Sequence, residues 1–408
     1  MKRRRLLALL LSVSCMLSAC SGNAALDPVG QGAEQTNQEN ASSDSSETPA
    51  YPYDTSQWEK GIADICRNED GYYAAISDFI YYIDSERNVR ALCNKADCSH
   101  DDAECNAYLL KTQPGSIWYN GNKIYAVATS HKGGYGLYQI EPDGSGMKEL
   151  SKLFQAGSGA SVSTYYDDDA MYCRCEILSA ADMQRGTFSD KLYRVELKEG
   201  AKPELLYENP DGSKNVDTGV GVVCFLDDDA YVPILQFPRD GSGWESKLYR
   251  YDKTEDKMEV FLEDSPANMC IQGEWMYYQW GNTFCRSRVD GSEKTVLFED
   301  EKLASSRIYF DGTYFYLSDS GYWEERPANY TLSILKEDGT VVDQILFDSR
   351  WSFLCGDGEE LVWELIDTNP EGVGFLTTYY FYDKDQIGTG KADMESVEIA
   401  DVDVPWVR

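Results

Sequence analysis

The residues best equipped for chemistry stand close together: Cys93, Cys98, His100 and Cys105 fall within thirteen positions. Three thiols and an imidazole form the donor set of a tetrahedral zinc shell. Their spacing, Cys-x4-Cys-x-His-x4-Cys, is not that of a finger, knuckle or ribbon, whose paired cysteines usually stand two to four residues apart. Outside the cytoplasm, disulfide formation competes for the same sulfurs. A disulfide, a bound metal and free thiols all stay open on the sequence. In the first two cases the role is structural, pinning a long loop between two repeats on a face where ligands often bind.

Other constellations are weaker. Histidine occurs only as His100 and His131, so a Ser-His-Asp or Cys-His set would need one of them. His131 lies in Ser130-His131-Lys132-Gly133-Gly134, which reads as a solvated hairpin tip. Nucleotide-binding glycine fingerprints and phosphate loops are absent from the sequence. The triplets Asp167-Asp168-Asp169 and Asp227-Asp228-Asp229 lack the alternating ligands and bending glycine of a calcium loop, and read as hydrated turns. With 70 acidic residues, some carboxylate pair will stand at a glycosidase spacing by chance, which identifies nothing. No catalytic residue and no obligatory cofactor is expected; structural zinc or calcium are the metals these side chains could hold. Trp244, Tyr322 and Trp323 lie in stretches rich in Gly, Ser and charge, where an aromatic could stack on a sugar or peptide or fold back as a lid.

The chain begins with Lys2, Arg3, Arg4 and Arg5, followed by an apolar run to Leu17, the pattern of an export signal. That run is short for a transmembrane helix, which needs about 20 residues. Leu17-Ser18-Ala19-Cys20 resembles the lipobox of bacterial lipoproteins at all four positions. The resemblance implies cleavage after residue 19 and a diacylglycerol on Cys20. The expected organisation is a signal peptide over 1–19, a lipidated and disordered linker over 20–57, and a folded domain over 58–408. The linker is rich in Ser, Asn, Gln and Glu and cannot bury enough apolar surface to order itself. It would act as a flexible tether of roughly 30–35 Å.

Removal of the four basic signal residues leaves 33 Lys and Arg against 70 Asp and Glu, a net charge of −37. Nucleic acid is thereby an unsuitable partner. Aromatics make up 13% of the chain, in short runs bounded by Asp, Gly and Asn, which points to an all-β fold.

One strand recurs seven times: Ile80-Tyr81-Tyr82-Ile83, Leu137-Tyr138-Gln139-Ile140, Leu192-Tyr193-Arg194-Val195, Leu248-Tyr249-Arg250-Tyr251, Phe284-Cys285-Arg286-Ser287, Leu332-Ser333-Ile334-Leu335 and Tyr379-Tyr380-Phe381-Tyr382. Spacings of 57, 55, 56, 36, 48 and 47 residues fit the four-stranded blades of a β-propeller. Seven blades are expected, with six or eight also compatible because the unit around Cys285 is short.

The lipobox, the tether and the degenerate Leu-Tyr-x-apolar-x-x-Asp-Gly blades together resemble uncharacterised propeller lipoproteins of Gram-positive anaerobes, similar to TolB-like and DUF5050-type propellers. The stretch from Leu92 to Tyr108 is similar to a Cys-rich segment of the same set. The resemblance implies a fold and a place on the outer face of the cell membrane, without an activity. The expected role is a non-enzymatic platform for a glycan, a peptide or an envelope protein. The alternative is a carbohydrate-active enzyme using loop Asp or Glu on one propeller face.

Overall fold

The computed structural model describes residues 64–400, apart from 110–116, 130–133, 155–160, 177–189, 211–214, 267–268, 301–306, 319–326, 357–358 and 371–373. It is a seven-bladed β-propeller built from antiparallel four-stranded sheets, one of which carries a fifth short strand. Each blade is a continuous piece of chain: 65–91, 117–154, 161–207, 216–262, 269–299, 307–348 and 352–400 for blades 1 to 7. All seven recurring segments are third strands. The short unit around Cys285 is a complete blade, compacted by the tight turn Gly281-Asn282 between paired residues Trp280 and Thr283.

The sequence pattern follows from burial on both faces of each blade. In the second strand of blade 1, Gly71–Ile76, every residue is buried. Side chains alternate across a strand, so Tyr72, Ala74 and Ile76 pack toward blade 7 while Tyr73 and Ala75 pack toward blade 2. Seven apolar clusters result, one at each joint between neighbouring blades. Fourth strands such as Thr295–Glu299 are largely exposed and form the rim.

The Asp-Gly and Asn-Gly signals have a common geometry. Asn120, Asp167 and Asp311 each accept the N–H groups two and three residues on, closing the turn between first and second strands. Asp84, Asp143, Asp252, Asp290, Asp338 and Asp383 accept the N–H two residues on at the turns between third and fourth strands. Both kinds of turn fall on the same face of the ring.

Among the described residues, blades 1 and 7 meet through side chains and no strand of either joins the other's sheet. Tyr72 packs on Phe381 with ring centroids 5.0 Å apart. Arg67 pairs with Glu359, and Arg87 pairs with Glu360 and, at 2.8 Å, with Glu395. A buried carboxyl pair, Asp64 and Glu364, completes the joint. Glu364 is pushed up to about 9 by burial and by the neighbouring Asp64 charge. The pair therefore keeps a proton at neutral pH, and Asp64 also accepts from the Tyr379 hydroxyl at 3.3 Å.

Candidate functional site

The cysteine-rich stretch interrupts the outer strand of blade 1. Val89–Ala91 pairs with the third strand through Tyr81, Tyr82 and Ile83. The chain then leaves the sheet at Cys93 and returns at Ala107, whose carbonyl accepts the Ile80 N–H at 2.9 Å; the Leu109 N–H donates to the Asp78 carbonyl at 2.6 Å. The loop thus belongs to the rim of blade 1, where it packs on blade 2, and not to a connection across a binding face as its sequence position suggested. What draws it out is a second set of partners. The Asn94 N–H donates to the Gly144 carbonyl at 3.1 Å, and the Asn106 side-chain amide donates to the carbonyls of Gly144 and Ser145, both at 3.0 Å. Gly144 has φ +74°, and a Cβ there would lie 2.8 Å from the Cys93 nitrogen, so this turn of blade 2 needs glycine.

Within the loop, ligand atoms of Cys93, Cys98, His100 and Cys105 all lie within 4.8 Å of one another. His100 Nδ1 is 3.3 Å from Cys105 Sγ, and His100 adopts the left-handed φ of 59° that few non-glycine residues take. Short turns aim the sulfurs: Cys98 N–H bonds to the Lys95 carbonyl at 3.4 Å and Cys105 N–H to the Asp102 carbonyl at 3.2 Å. Burial opposes ionisation of Cys93, but the N–H groups of Lys95 and Asn106 outweigh it and hold the thiol below its ordinary range. Burial pushes Cys105 up to about 12, against an N–H···S contact from Ala107 at 3.4 Å. Cys93, Cys98, Cys105, Cys173, Cys270 and Cys285 carry unbridged sulfurs. Cys173 and Cys175 share a face of one strand and are fully buried, as befits small apolar side chains.

Trp244 precedes the third strand of blade 4 and is exposed. Two aromatics that the sequence did not single out join it on the face formed by turns between second and third strands. Trp280 ends the second strand of blade 5, and Phe375 begins the third strand of blade 7; both are about half exposed, at 45% and 57%. They were hidden because each continues the apolar pattern of its strand. Tyr322 and Trp323 lie in the chain between the second and third strands of blade 6, outside the described residues, as do His131 and Cys20.

The opposite face is polar. A cleft of about 470 Å³ lies between blades 1 and 7, lined by Arg67, Arg87, Asp70, Glu359, Glu360 and Asp385 among others. A smaller one of about 330 Å³, between blades 2 and 3, includes Asp168, Asp169 and Arg194. Asp167 is committed to its turn and to an ion pair with Lys253 of blade 4 at 2.8 Å. Asp311 repeats the arrangement with Lys384 of blade 7 at 2.6 Å. The acidic turns therefore lock blades together. The buried Asp64–Glu364 pair lines neither cleft.

No family model and no curated protein matches the chain. Solved structures share the fold at low identity. A prolyl endopeptidase structure aligns at 12% identity and TM-score 0.51 over 86% of this chain and 51% of its own. A puromycin-hydrolyzing peptidase of Mycobacterium tuberculosis aligns at 11% and 0.50 over 88% and 56%. TolB from Acinetobacter baumannii aligns at 11% and 0.36 over 72% and 64%. The chain spans about half the length of the two peptidases, and identities this low show a shared fold alone.

Proposed function

We propose that this chain is an exported lipoprotein, held on the outer face of the cell membrane by lipid on Cys20, whose propeller is a non-enzymatic binding platform. The observation that carries the binding role is the exposure of Trp244, Trp280 and Phe375 on one face of the ring. Large exposed aromatics are costly to leave in water and are the usual anchors of recognition surfaces. The opposite face carries two polar clefts crossed by ion pairs, so the aromatic face is the one suited to a glycan, a peptide or an envelope protein. Lipid on Cys20, followed by a tether, would leave that face free to meet a partner.

A thermal-shift screen of the full chain in detergent against cell-wall fragments, glycans and peptides tests the small-ligand form. A ligand at 100 times its Kd adds about 2.7 kcal/mol, a rise of roughly 2–4 °C for a domain of this size. A rise that disappears in Trp244→Ser and Trp280→Ser supports the aromatic face. A rise that survives both substitutions moves the site elsewhere, and turnover of the hit would favour the enzyme alternative.

A further inference from the structure

We propose that Cys93, Cys98, His100 and Cys105 bind one zinc ion, which clasps the interrupted rim strand of blade 1 to blade 2. Convergence is the first argument. Tetrahedral zinc with Zn–S near 2.3 Å and Zn–N near 2.0 Å sets S···S separations of about 3.8 Å and S···N separations of about 3.5 Å. The four donors lie within 4.8 Å of one another, with His100 Nδ1 and Cys105 Sγ at 3.3 Å, so small side-chain shifts complete the shell.

The donor count is the second argument. A disulfide joins two sulfurs and leaves no reason for a third sulfur and an imidazole to meet at the same point. A metal uses all four. Three thiolates and one imidazole select zinc over calcium or magnesium, which prefer oxygen ligands. Four protein ligands also leave no open position, which marks a structural rather than a hydrolytic site. The N–H groups directed at Cys93 and Cys105 supply the outer hydrogen bonds that thiolate ligands need.

The loop also lacks a core of its own. Between Cys93 and Asn106 the loop is largely exposed, with Cys105 its only buried apolar residue. Such a segment has too little core to hold its shape, and a metal is a standard substitute. Zinc at this point would fix Asn94 and Asn106 where they grip the turn at Gly144 and Ser145.

The test uses the full chain purified in detergent under reducing, anaerobic conditions, stripped with a chelator and titrated with zinc or cobalt. One equivalent of metal is expected, with the visible absorption of tetrahedral cobalt and a sulfur-to-cobalt charge-transfer band. Cys98→Ser and His100→Ala should weaken zinc more than about 100-fold, beyond the loss typical of an outer-shell change. His100→Cys should keep one equivalent and alter the cobalt spectrum, which separates ligand loss from misfolding. In the chain isolated from its native envelope, three thiols should resist alkylation until a chelator is added. A disulfide among Cys93, Cys98 and Cys105 in that material, or metal uptake indifferent to these substitutions, overturns the proposal. Neither result bears on the aromatic face, so the two readings fail separately.

Discussion

Replacing Glu364 with Gln should flatten the pH dependence of stability at the joint that closes the ring. In the fold, Glu364 is held up to about 9, against an ordinary value of 4.5 in the unfolded chain. Between those values the folded state keeps a proton that the unfolded state has released. Stability is therefore full below about pH 4.5 and falls as pH rises, by about 1.4 kcal/mol per unit. From pH 4.5 to 7 the loss reaches as much as about 3 kcal/mol. Asp64 is also raised by burial, so it acts in the same direction. Glutamine keeps the shape and the hydrogen-bond donor of the protonated acid and has nothing to titrate. With an unfolding entropy of about 2.1 cal/mol/K per residue over ~340 residues, 3 kcal/mol corresponds to roughly 4 °C in Tm. Calorimetry of both chains from pH 4.5 to 8 measures the difference, and titrating groups away from this pair cancel between them. Glu364→Gln should match the wild type near pH 4.5 and exceed it by about 4 °C at pH 7. Parallel curves across the range would refute the shared proton and the place given to it in ring closure.

Lys384→Met leaves Asp311 buried without its cation and should cost about 3–5 kcal/mol at pH 7 in urea denaturation. Burial raises Asp311 but Lys384 more than compensates, holding it below 3.8, so the pair's contribution is present above that value and lost as pH falls. The penalty of the substitution should accordingly shrink toward pH 3. Gly144→Ala combines a left-handed φ with a Cβ driven against Cys93, and should cost about 1–3 kcal/mol while opening residues 93–106 to limited proteolysis. Trp363, fully buried between blades 6 and 7, should cost about 3–5 kcal/mol on replacement by Ala, read from the same urea midpoints.

The repeat was legible because radial packing imposes it. Third strands turn one fully buried face to a neighbouring blade, so Leu137, Leu192, Leu248 and Leu332 recur at equivalent positions with polar turns between them. The turn residues were legible for the same reason, since an Asp or Asn side chain that accepts backbone N–H groups is written locally in the chain. Ring closure was not. Asp64 and Glu364 stand 300 residues apart and meet only because seven blades complete a circle. The cysteine stretch shows both sides. Its donor types could be read directly, but its place at the rim depends on a partner turn at Gly144 that no local pattern announces. Trp280 and Phe375 escaped notice because an aromatic at a strand end looks like core in the sequence, whereas both side chains are about half exposed.

On the proposed reading, the aromatic face is the surface by which a membrane-tethered platform meets its partner. In-cell photocrosslinking tests it most directly, with a benzoylphenylalanine placed at Trp280 in one variant and, in another, at Asn122, an exposed turn residue on the opposite face. Adducts with an envelope component from the Trp280 position, absent from the Asn122 position and lost when Cys20→Ala releases the chain from the membrane, are the predicted result. Adducts from Asn122 alone, or a pattern unchanged by Cys20→Ala, would contradict it.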